Sequence, residues 1–423
     1  MNAAILSIGD ELALGQTQDT NSRWLAARLA DQGVRCVEFR TVPDELAAQA
    51  RALRELAALA ELVLVTGGLG PTDDDLTREA LREAIGDGAP LVLDEPSLAA
   101  LDRWFRDRGR PMPDINKRQA MRPVEAECLA NDAGTAPGLR ARVGRATVVC
   151  LPGPPREMEP MFARFVLPLL PRLEMATGVL HSFGQGESFL AERLGDRMRR
   201  DRNPLVGTTA SGSVVSARIR GTGAQSSAQA IDRELAEIER IWRPYAFARG
   251  AVTLAGALGQ ALQSRGLTMA LAESCTGGLA GSLVTAESGS SAWFRGGVMS
   301  YANEAKRDLC GVAQATLDAH GAVSAPVALE LARGARAALH ADWAASITGV
   351  AGPTGGSDAK PVGTVFIGVV GPDFEAVRRF RYPGERAIVR DRAAKTALAL
   401  LRLAVVDREE FTAPFIWEAR DHG

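Results

Sequence analysis

The sequence predicts an α/β protein with two α/β domains joined by a small α+β linking domain. In the first and last thirds of the chain, short apolar runs alternate with amphipathic stretches. Continuous apolar runs such as 62–66 (LVLVT) are typical of strands that are covered on both faces. A chain of 423 residues is also too long for one ordinary core. We therefore expect domains at 1–172, 173–247 and 248–423.

Each predicted element follows from the periodicity of its apolar residues and from flanking glycine and proline. The first domain is expected to be a wound sheet with strands at 5–8, 34–39, 62–66 and 148–151 and helices at 21–32 and 45–59. The linking domain has an alternating strand at 214–219 and a helix at 228–241. The last domain has strands at 267–272, 344–347 and 364–370 and helices at 252–262 and 385–405.

Composition excludes several classes of protein. The net charge is only -2, so no electrostatic argument favours nucleic acid as a direct partner. The five cysteines are scattered without CxxC pairs, which argues against a disulfide framework or a zinc ribbon. No signal-peptide pattern begins the chain, and no apolar run reaches about 18 residues. These features predict a cytoplasmic protein that does not enter a membrane.

A serine and a lysine in the last domain suggest a hydroxyl nucleophile activated by an amine. Ser274 lies in AESCTGG (272–278) between a predicted strand and an apolar helical run, where helix-start amides and the positive helix end would favour an oxyanion. Lys306 can act as the base if burial lowers its pKa. The alternatives are that Ser274 or Thr276 caps the helix and that Lys306 lies on a solvated face. Tyr301 either relays a proton or is a half-buried aromatic residue.

Two further clusters lie in the same domain. The run 348–356, which starts with Thr348 and Gly349, follows a strand and offers amides and hydroxyls for a phosphate or a ribose. Arg386 and Arg390 lie at a predicted helix start, where they can hold an anion. A ligand-free glycine turn and surface salt bridges are the respective alternatives.

Glycine and acidic residues follow two strands of the first domain. The loops are 9–16 (GDELALGQ) and 66–75 (TGGLGPTDDD), and both lie at carboxyl ends of predicted parallel strands, where open α/β sheets bind ligands. Glycines permit close approach of a phosphate, and the neighbouring carboxylates would need a divalent ion between them and that phosphate. Neither a Walker loop nor a Rossmann fingerprint is present. The alternative is a tight turn with Asp73 as helix cap and Asp74 and Asp75 in the first helical turn.

Dispersed motifs in the last domain resemble the C-terminal domain of the CinA family, a nicotinamide mononucleotide deamidase. They are AESCTGG (272–278), GGVMSYANEAK (296–306), HGAVS (320–324), ITGVAGP (347–353), KPVGTV (360–365) and YPGER (382–386). The resemblance implies a serine nucleophile at Ser274 and a lysine partner at Lys306. The implied supporting residues, catalytic or substrate-binding, are Tyr301, Thr348, Gly277, Gly278, Gly349 and Arg386.

The implied reaction is hydrolysis of a carboxamide. Lys306 would deprotonate Ser274, which attacks the amide carbon; ammonia leaves, and water then releases nicotinic acid mononucleotide from the acyl-enzyme. Amides near Gly277 would hold the oxyanion. This route needs no metal or other cofactor.

The first domain is similar to the N-terminal CinA domain, which is related to molybdopterin-binding folds. Its motifs are GDELALGQTQDTN (9–21), TGGLGPTDDDLT (66–77), RGRPMPDINKRQA (108–120), GTAPG (134–138) and LPGPPREM (151–158). The resemblance implies metal-dependent cleavage of ADP-ribose to AMP and ribose 5-phosphate. The implied residues are Asp10, Glu11, Asp74 and Asp75 at a divalent metal, with Asp75 also catalytic, Gly67, Gly68 and Gly70 at the phosphate, and Asn116 and Lys117 as polar contacts.

The resemblance covers nearly the whole chain and also implies a homodimer. The leading hypothesis is a bifunctional hydrolase acting on small nucleotides. Two alternatives stay open: that only the deamidase is active and the first domain binds a nucleotide or molybdopterin without catalysis, and that the chain is a non-enzymatic nucleotide sensor.

Overall fold

The computed structural model describes residues 1–86, 88, 90–171 and 175–419, and the chain forms two compact units. Unit 1 is Met1–Met175 and unit 2 is Ala176–Gly423. The predicted boundary between the first two domains, at 172/173, touches residues outside the described ranges. No helix in the described ranges has an apolar stretch long enough to cross a bilayer.

Unit 1 is a wound α/β domain. Its strands are β1 (Asn2–Ile8), β2 (Arg35–Val42), β3 (Leu62–Thr66), β4 (Leu91–Leu93), β5 (Met121–Pro123), β6 (Glu127–Leu129), β7 (Gly138–Val143) and β8 (Ala146–Leu151). Its α-helices are α1 (Asp10–Ala13), α2 (Thr20–Asp31), α3 (Leu46–Leu59), α4 (Thr77–Ile85), α5 (Glu95–Arg106) and α6 (Pro155–Met161). The main sheet has the order β2-β1-β3-β8-β7-β6, while β4 pairs with β5.

Helices on both faces of this sheet explain its apolar strands. Every residue of β3 is buried, with Leu25 and Met158 packed on one face and Leu53 and Leu81 on the other. β1, β2, β3 and β8 are parallel, and β1 pairs directly with β3. The loops that follow β1 and β3 therefore leave the same edge of the sheet, as the sequence predicts.

Unit 2 contains two sheets. Its strands are β9 (Met175–Phe183), β10 (Leu205–Ser211), β11 (Val214–Thr222), β12 (Ala246–Arg249), β13 (Met269–Glu273), β14 (Phe294–Met299), β15 (Trp343–Gly349), β16 (Thr364–Gly371) and β17 (Phe374–Arg381). Its α-helices are α7 (Glu187–Leu194), α8 (Ala228–Trp242), α9 (Leu254–Gln263), α10 (Leu279–Thr285), α11 (Asn303–Cys310), α12 (Gln314–His320), α13 (Ala325–Ala338) and α14 (Arg386–Val406).

The first sheet of unit 2 has the order β10-β11-β9-β12, and the second has the order β14-β13-β15-β16-β17. In the second sheet β13 runs parallel to both neighbours, while β16 and β17 are antiparallel. One apolar core joins the two sheets and includes Trp242, Leu400 and Phe415. The segment that contains the predicted linking domain thus packs as part of unit 2.

The strands and helices predicted from the sequence are confirmed, with ends that shift by one to three residues. Two local alternatives are wrong. The helix after the acidic loop begins at Thr77, so Asp73 does not cap it and Asp75 is not in its first turn. α10 begins after Gly278, so neither Ser274 nor Thr276 is its N-cap residue.

A substitution at Gly334 tests how closely α11 and α13 pack together. A Cβ atom at Gly334 would lie 1.8 Å from the carbonyl oxygen of Cys310, so Gly334→Ala should destabilise the protein although alanine is the better helix former. We expect a loss of about 1–3 kcal/mol in the free energy of unfolding, measured by denaturant titration.

Gly256→Ala in α9 is the matched control, because the nearest atom to its Cβ is the tip of the flexible Glu287 side chain at 3.0 Å. If both variants are equally stable, α13 does not approach α11 as closely as the structure has it.

Candidate functional site

Ser274 lies on a tight turn directly after β13. The nucleophile turn, residues 274–278, ends with Gly277 (φ +59°) and Gly278 (φ +89°), a left-handed backbone that favours glycine. The amide of Ser274 donates to the carbonyl of Ile347 at 2.9 Å and fixes the turn to β15. The serine is 8% exposed, so its hydroxyl lies at the boundary between core and solvent.

Lys306 reaches the hydroxyl of Ser274 from α11. Its Nζ lies 3.2 Å from Ser274 Oγ, 2.8 Å from the carbonyl oxygen of Ser300 and 3.0 Å from that of Tyr301. The side chain is 1% exposed, so the solvated-face alternative for this lysine is wrong. The amine has three oxygen neighbours and one of them is the serine.

These contacts determine how the amine of Lys306 is oriented when it is neutral. Burial lowers the pKa of Lys306, because desolvation disfavours the ammonium form. A neutral amine has two N–H bonds, which suffice for the two backbone carbonyls, and a lone pair, which is left for the hydroxyl of Ser274. The carbonyls of Ser300 and Tyr301 thereby orient the lone pair towards the serine.

Two charged side chains contact the nucleophile turn or the start of the helix that follows it. The buried carboxylate of Glu273 accepts hydrogen bonds from the amides of Ala280 (3.1 Å) and Gly281 (2.8 Å). Arg390 donates to the carbonyl of Thr276 through Nε (3.3 Å) and a terminal nitrogen (2.7 Å). In this conformation Arg390 therefore holds the turn, and its binding of an anion stays a prediction.

The same contacts change the expected oxyanion site. We expected the first amides of the helix to serve it, but Glu273 already accepts from two of them and places its negative charge there. The amide of Gly277 donates to Ser274 O at 3.1 Å. Gly278 is half-buried, and its amide has no acceptor among the described residues. The amides of Cys275 and Thr276 on the same turn likewise have no acceptor among the described residues, so Gly278 is one of three candidates for an oxyanion site.

Arg386 and Tyr301 lie together on the exposed side of the domain. Arg386 donates to the carbonyl of Gly352 at 2.8 Å and lies 3.5 Å from the hydroxyl of Tyr301. Tyr301 is 64% exposed, so it is not the half-buried aromatic residue of the alternative. The guanidinium keeps further N–H donors for an anion from solvent.

Thr348 and Gly349 have structural roles in this conformation. The hydroxyl of Thr348 donates to the carbonyl of Ala322 at 2.7 Å and is fully buried. A Cβ atom at Gly349 would lie 2.6 Å from the side chain of Val365 in the neighbouring strand. Packing between β15 and β16 therefore accounts for this glycine without a ligand.

A cavity of about 510 Å³ lies in unit 1, where the loops after β1 and β3 meet. We call it the glycine-loop cavity. Its lining brings together six of the predicted residues, Glu11, Gly67, Gly68, Gly70, Asp74 and Asp75. It also contains four polar residues that sequence reasoning missed, Asp44, Gln119, Thr135 and Glu157.

The glycine-rich loop 66–75 is held by its own side chains. Asp75 accepts hydrogen bonds from the amides of Gly70 (2.7 Å) and Thr72 (2.9 Å), so both of its oxygens are engaged. Arg78, which is 1% exposed, donates to the carbonyls of Leu69 and Gly70, and burial lowers its pKa to about 10. A Cβ at Gly67 would lie 2.3 Å from Ile8 O, so the loop also packs tightly on β1.

Asp10 and Asp44 bind each other's backbone. The amide of Asp10 donates to the Asp44 carboxylate at 2.9 Å, and the amide of Asp44 donates to Asp10 at 3.1 Å. Burial, and then the like charges of Asp10, Glu11 and Asp74, raise the pKa of Asp44. Four carboxylates therefore lie close enough to repel one another. The signal for Asp44 in the sequence was its place directly after β2, beside β1.

Asn116 and Lys117 lie on a short helical turn next to the cavity. Asn116 is buried and donates to Gln119 at 2.8 Å; Gln119, which lines the cavity, donates to Thr135 at 3.2 Å. Lys117 is exposed and pairs with Asp114 at 2.8 Å. In the described part of the chain, Gln119 reaches the cavity in place of these two residues.

The carboxylates of unit 1 suit a hard divalent cation by chemistry, since carboxylate oxygens are its preferred ligands. Within the described ranges, however, no three His, Cys, Asp or Glu side chains are close enough together to form a ready-made metal site. Glu11, Asp44 and Asp74 line the cavity, and a cation would have to bring their carboxylates closer together.

Comparisons with known proteins match almost the entire chain. Residues 4–172 match the family described as "Probable molybdopterin binding domain", residues 177–248 the "Damage-inducible protein CinA KH domain", and residues 251–405 the "CinA C-terminal domain".

Relatives of this chain match over nearly the same residues. The chain is 43% identical over 412 residues to a CinA-like protein from Anaeromyxobacter sp. (strain Fw109-5), covering 96% of this chain and 99% of the relative. It is 41% identical over 411 residues to a CinA-like protein from Geobacter sulfurreducens, covering 95% and 98%. A crystal structure of competence/damage inducible protein CihA from Agrobacterium tumefaciens is 40% identical and covers 36% of this chain and 93% of its own, with a TM-score of 0.35. The chain belongs to the CinA family.

Proposed function

We propose that unit 2 is a serine amidohydrolase that converts nicotinamide mononucleotide to nicotinic acid mononucleotide and ammonia. The observation that carries the proposal is the contact of 3.2 Å between the buried amine of Lys306 and the hydroxyl of Ser274. Serine paired with lysine is an established solution for acyl transfer without histidine. Membership of the CinA family supports the same assignment.

In the first step, neutral Lys306 accepts the hydroxyl proton while Ser274 Oγ attacks the carboxamide carbon. The new C–O bond forms as the C=O π electrons move to oxygen, where an open amide of the turn, from Cys275, Thr276 or Gly278, would stabilise the negative charge. The ammonium of Lys306 then gives its proton to the leaving nitrogen, and the C–N bond breaks to release ammonia. Water attacks the resulting ester by the same route, which frees the carboxylic acid and restores Ser274.

Arg386 supports a mononucleotide as substrate. Its guanidinium is exposed, is held by the carbonyl of Gly352 and lies beside Tyr301 at 3.5 Å. A planar fork of N–H donors matches the geometry of a phosphate. We assign Arg386 to the 5′-phosphate and Tyr301 to orienting the substrate between that phosphate and Ser274.

We further propose that unit 1 cleaves the diphosphate of ADP-ribose with a divalent metal. The support is the glycine-loop cavity, in which glycines that permit close phosphate approach lie beside Glu11, Asp44 and Asp74. These carboxylates and Asp10 would hold the cation, which supplies Lewis-acid polarisation of phosphate oxygens when bound. Asp75 keeps the loop folded around the phosphates.

The engaged carboxylate of Asp75 favours one alternative for unit 1. Both oxygens of Asp75 accept hydrogen bonds from loop amides, so a metal or water would have to share an oxygen that already holds the loop. A unit 1 that binds a nucleotide without cleaving it is therefore the second candidate. Assaying ADP-ribose cleavage by the full chain with and without Mg²⁺ decides between the two.

Replacement of the nucleophile separates the two activities. Ser274→Ala removes the attacking oxygen, so ammonia release from nicotinamide mononucleotide should fall by at least about 10³-fold, while ADP-ribose cleavage is unchanged. Ser282→Ala, on the exposed side of α10, is the control and should keep both activities. Loss of both activities in Ser274→Ala, or of neither, contradicts the two-site proposal.

The pH dependence of deamidation should follow Lys306. Only the neutral amine can accept the serine proton, and burial lowers the pKa of Lys306 below the ordinary 10.5. We therefore expect kcat/KM to rise with pH and to level off above a midpoint lower than 10.5.

Lys306→Arg keeps its proton throughout this range, so it should be inactive at every pH. Lys395→Arg should keep the native profile. A native rate that falls with rising pH over the same range would exclude Lys306 as the base.

Metal dependence should be confined to unit 1. A chelator should abolish ADP-ribose cleavage and leave deamidation unaffected, and Asp74→Asn should raise the Mg²⁺ concentration for half-activation by about tenfold or more. Asp73→Asn is the matched control, because this neighbour is exposed and does not line the cavity. Equal Mg²⁺ dependence of both variants would remove Asp74 from the proposed site.

A further inference from the structure

A second cavity of unit 1 lies against the glycine-loop cavity. It has a volume of about 560 Å³ and lies between α5 and the segment 122–137. We call it the Trp104 cavity. Thr135 lines both cavities. Asn131 of the second cavity donates to Glu157 of the first at 2.8 Å. The GTAPG segment (134–138) therefore forms a common wall.

The charged groups of the Trp104 cavity are all paired within the protein. Arg122 Nε donates to Asp94 at 3.0 Å, and another of its nitrogens donates to the carbonyls of Val124 and Ala126. The two remaining acids are also paired, Glu127 with Arg140 at 2.9 Å and Asp132 with Arg164 at 2.9 Å. The thiol of Cys128 is neutral, since burial raises its pKa to about 11. This cavity offers no uncompensated charge to an ion.

Its remaining lining is largely apolar. Pro96, Leu101, Trp104, Val124 and Pro137 contribute hydrocarbon and ring surface. The guanidinium of Arg108 lies 3.8 Å from the centroid of Trp104, and Phe105 packs edge-to-face against the same indole with ring centroids 5.1 Å apart. The part of the indole that lines the cavity is left for a further contact. A neutral, flat, partly apolar group fits such a lining better than a phosphate or a free sugar does.

We propose that the Trp104 cavity is the site for the purine base of the diphosphate substrate. The inference rests on the proposed function of unit 1. Two adjoining cavities of unlike chemistry match the two ends of one ligand: the diphosphate lies on the glycine loop, and the base lies across the GTAPG wall against Trp104. Recognition of the base would then favour a nucleoside diphosphate sugar over an ordinary sugar diphosphate.

Filling the cavity from an exposed position tests this assignment. Ala100 on α5 lines the cavity and is exposed, so Ala100→Phe should occupy the space for the base without changing the core. Its neighbour Ala99 is also exposed but does not line the cavity, which makes Ala99→Phe the matched control. AMP, adenosine and ribose 5-phosphate are titrated calorimetrically into the full-length native chain and both variants, and thermal unfolding checks that each variant is folded.

In Ala100→Phe the affinity for AMP and adenosine should fall by about tenfold or more, the typical energetic contribution of a stacked base. The affinity for ribose 5-phosphate should stay within about twofold in all three proteins, and Ala99→Phe should match the native chain. Equal affinity of Ala100→Phe and the native chain for AMP and adenosine overturns the assignment, as does a native chain that binds neither.

The experiments distinguish a failure of the base site from a failure of the proposed reaction. If adenosine binds natively and is lost in Ala100→Phe while ADP-ribose is never cleaved, the base site stands and the pyrophosphatase proposal falls. If ADP-ribose is cleaved with the same KM by Ala100→Phe and the native chain, the reaction stands and the base site falls.

Discussion

Both candidate sites depend on one constraint. Each lies on a loop that leaves a parallel strand, where the backbone N–H and C=O groups no longer have hydrogen-bond partners in the sheet. Buried backbone groups must then find other partners. In unit 2 the carboxylate of Glu273 accepts from amides 280 and 281, and Arg390 donates to the carbonyl of Thr276. In unit 1, Asp75 and Arg78 do the same for the glycine-rich loop. Charged residues in these motifs thus shape the loops around the ligand site as well as line it.

These loop-holding contacts change how the motifs are interpreted. AESCTGG contains an acid, Glu273, which is the last residue of β13 and directly precedes Ser274. Its carboxylate accepts from two amides of α10 and leaves the amides of Cys275, Thr276 and Gly278 open. Asp75 is a comparable case, because both of its oxygens hold the glycine-rich loop. Asp44, which had no motif to mark it, lines the cavity and lies among three other acids.

The proposed chemistry of the Ser274–Lys306 contact depends on the burial of the lysine. A lysine in water is protonated at neutral pH and cannot accept a proton from serine. Lys306 is 1% exposed, so its charged form is disfavoured. When the amine is neutral, the carbonyls of Ser300 and Tyr301 can accept its two N–H bonds. The close approach of α13 to α11 at Gly334 holds the helix that carries the lysine. Packing at Gly334 is therefore part of what keeps Lys306 against Ser274.

The sequence by itself determined the α/β class, most strands and helices, and the two sheet edges that carry the candidate sites. These features follow from local periodicity and from glycine after apolar strands. It also placed Ser274 on its turn and Arg386 at the start of α14. Only the tertiary structure decided that Lys306 is buried against Ser274, that Glu273 and Asp75 hold loops, and that Gln119 replaces Asn116 and Lys117 at the cavity. The physical reason is that burial and hydrogen-bond partners are set by residues distant in the chain, here up to 114 positions apart for Arg390 and Thr276, and local pattern carries no information about them.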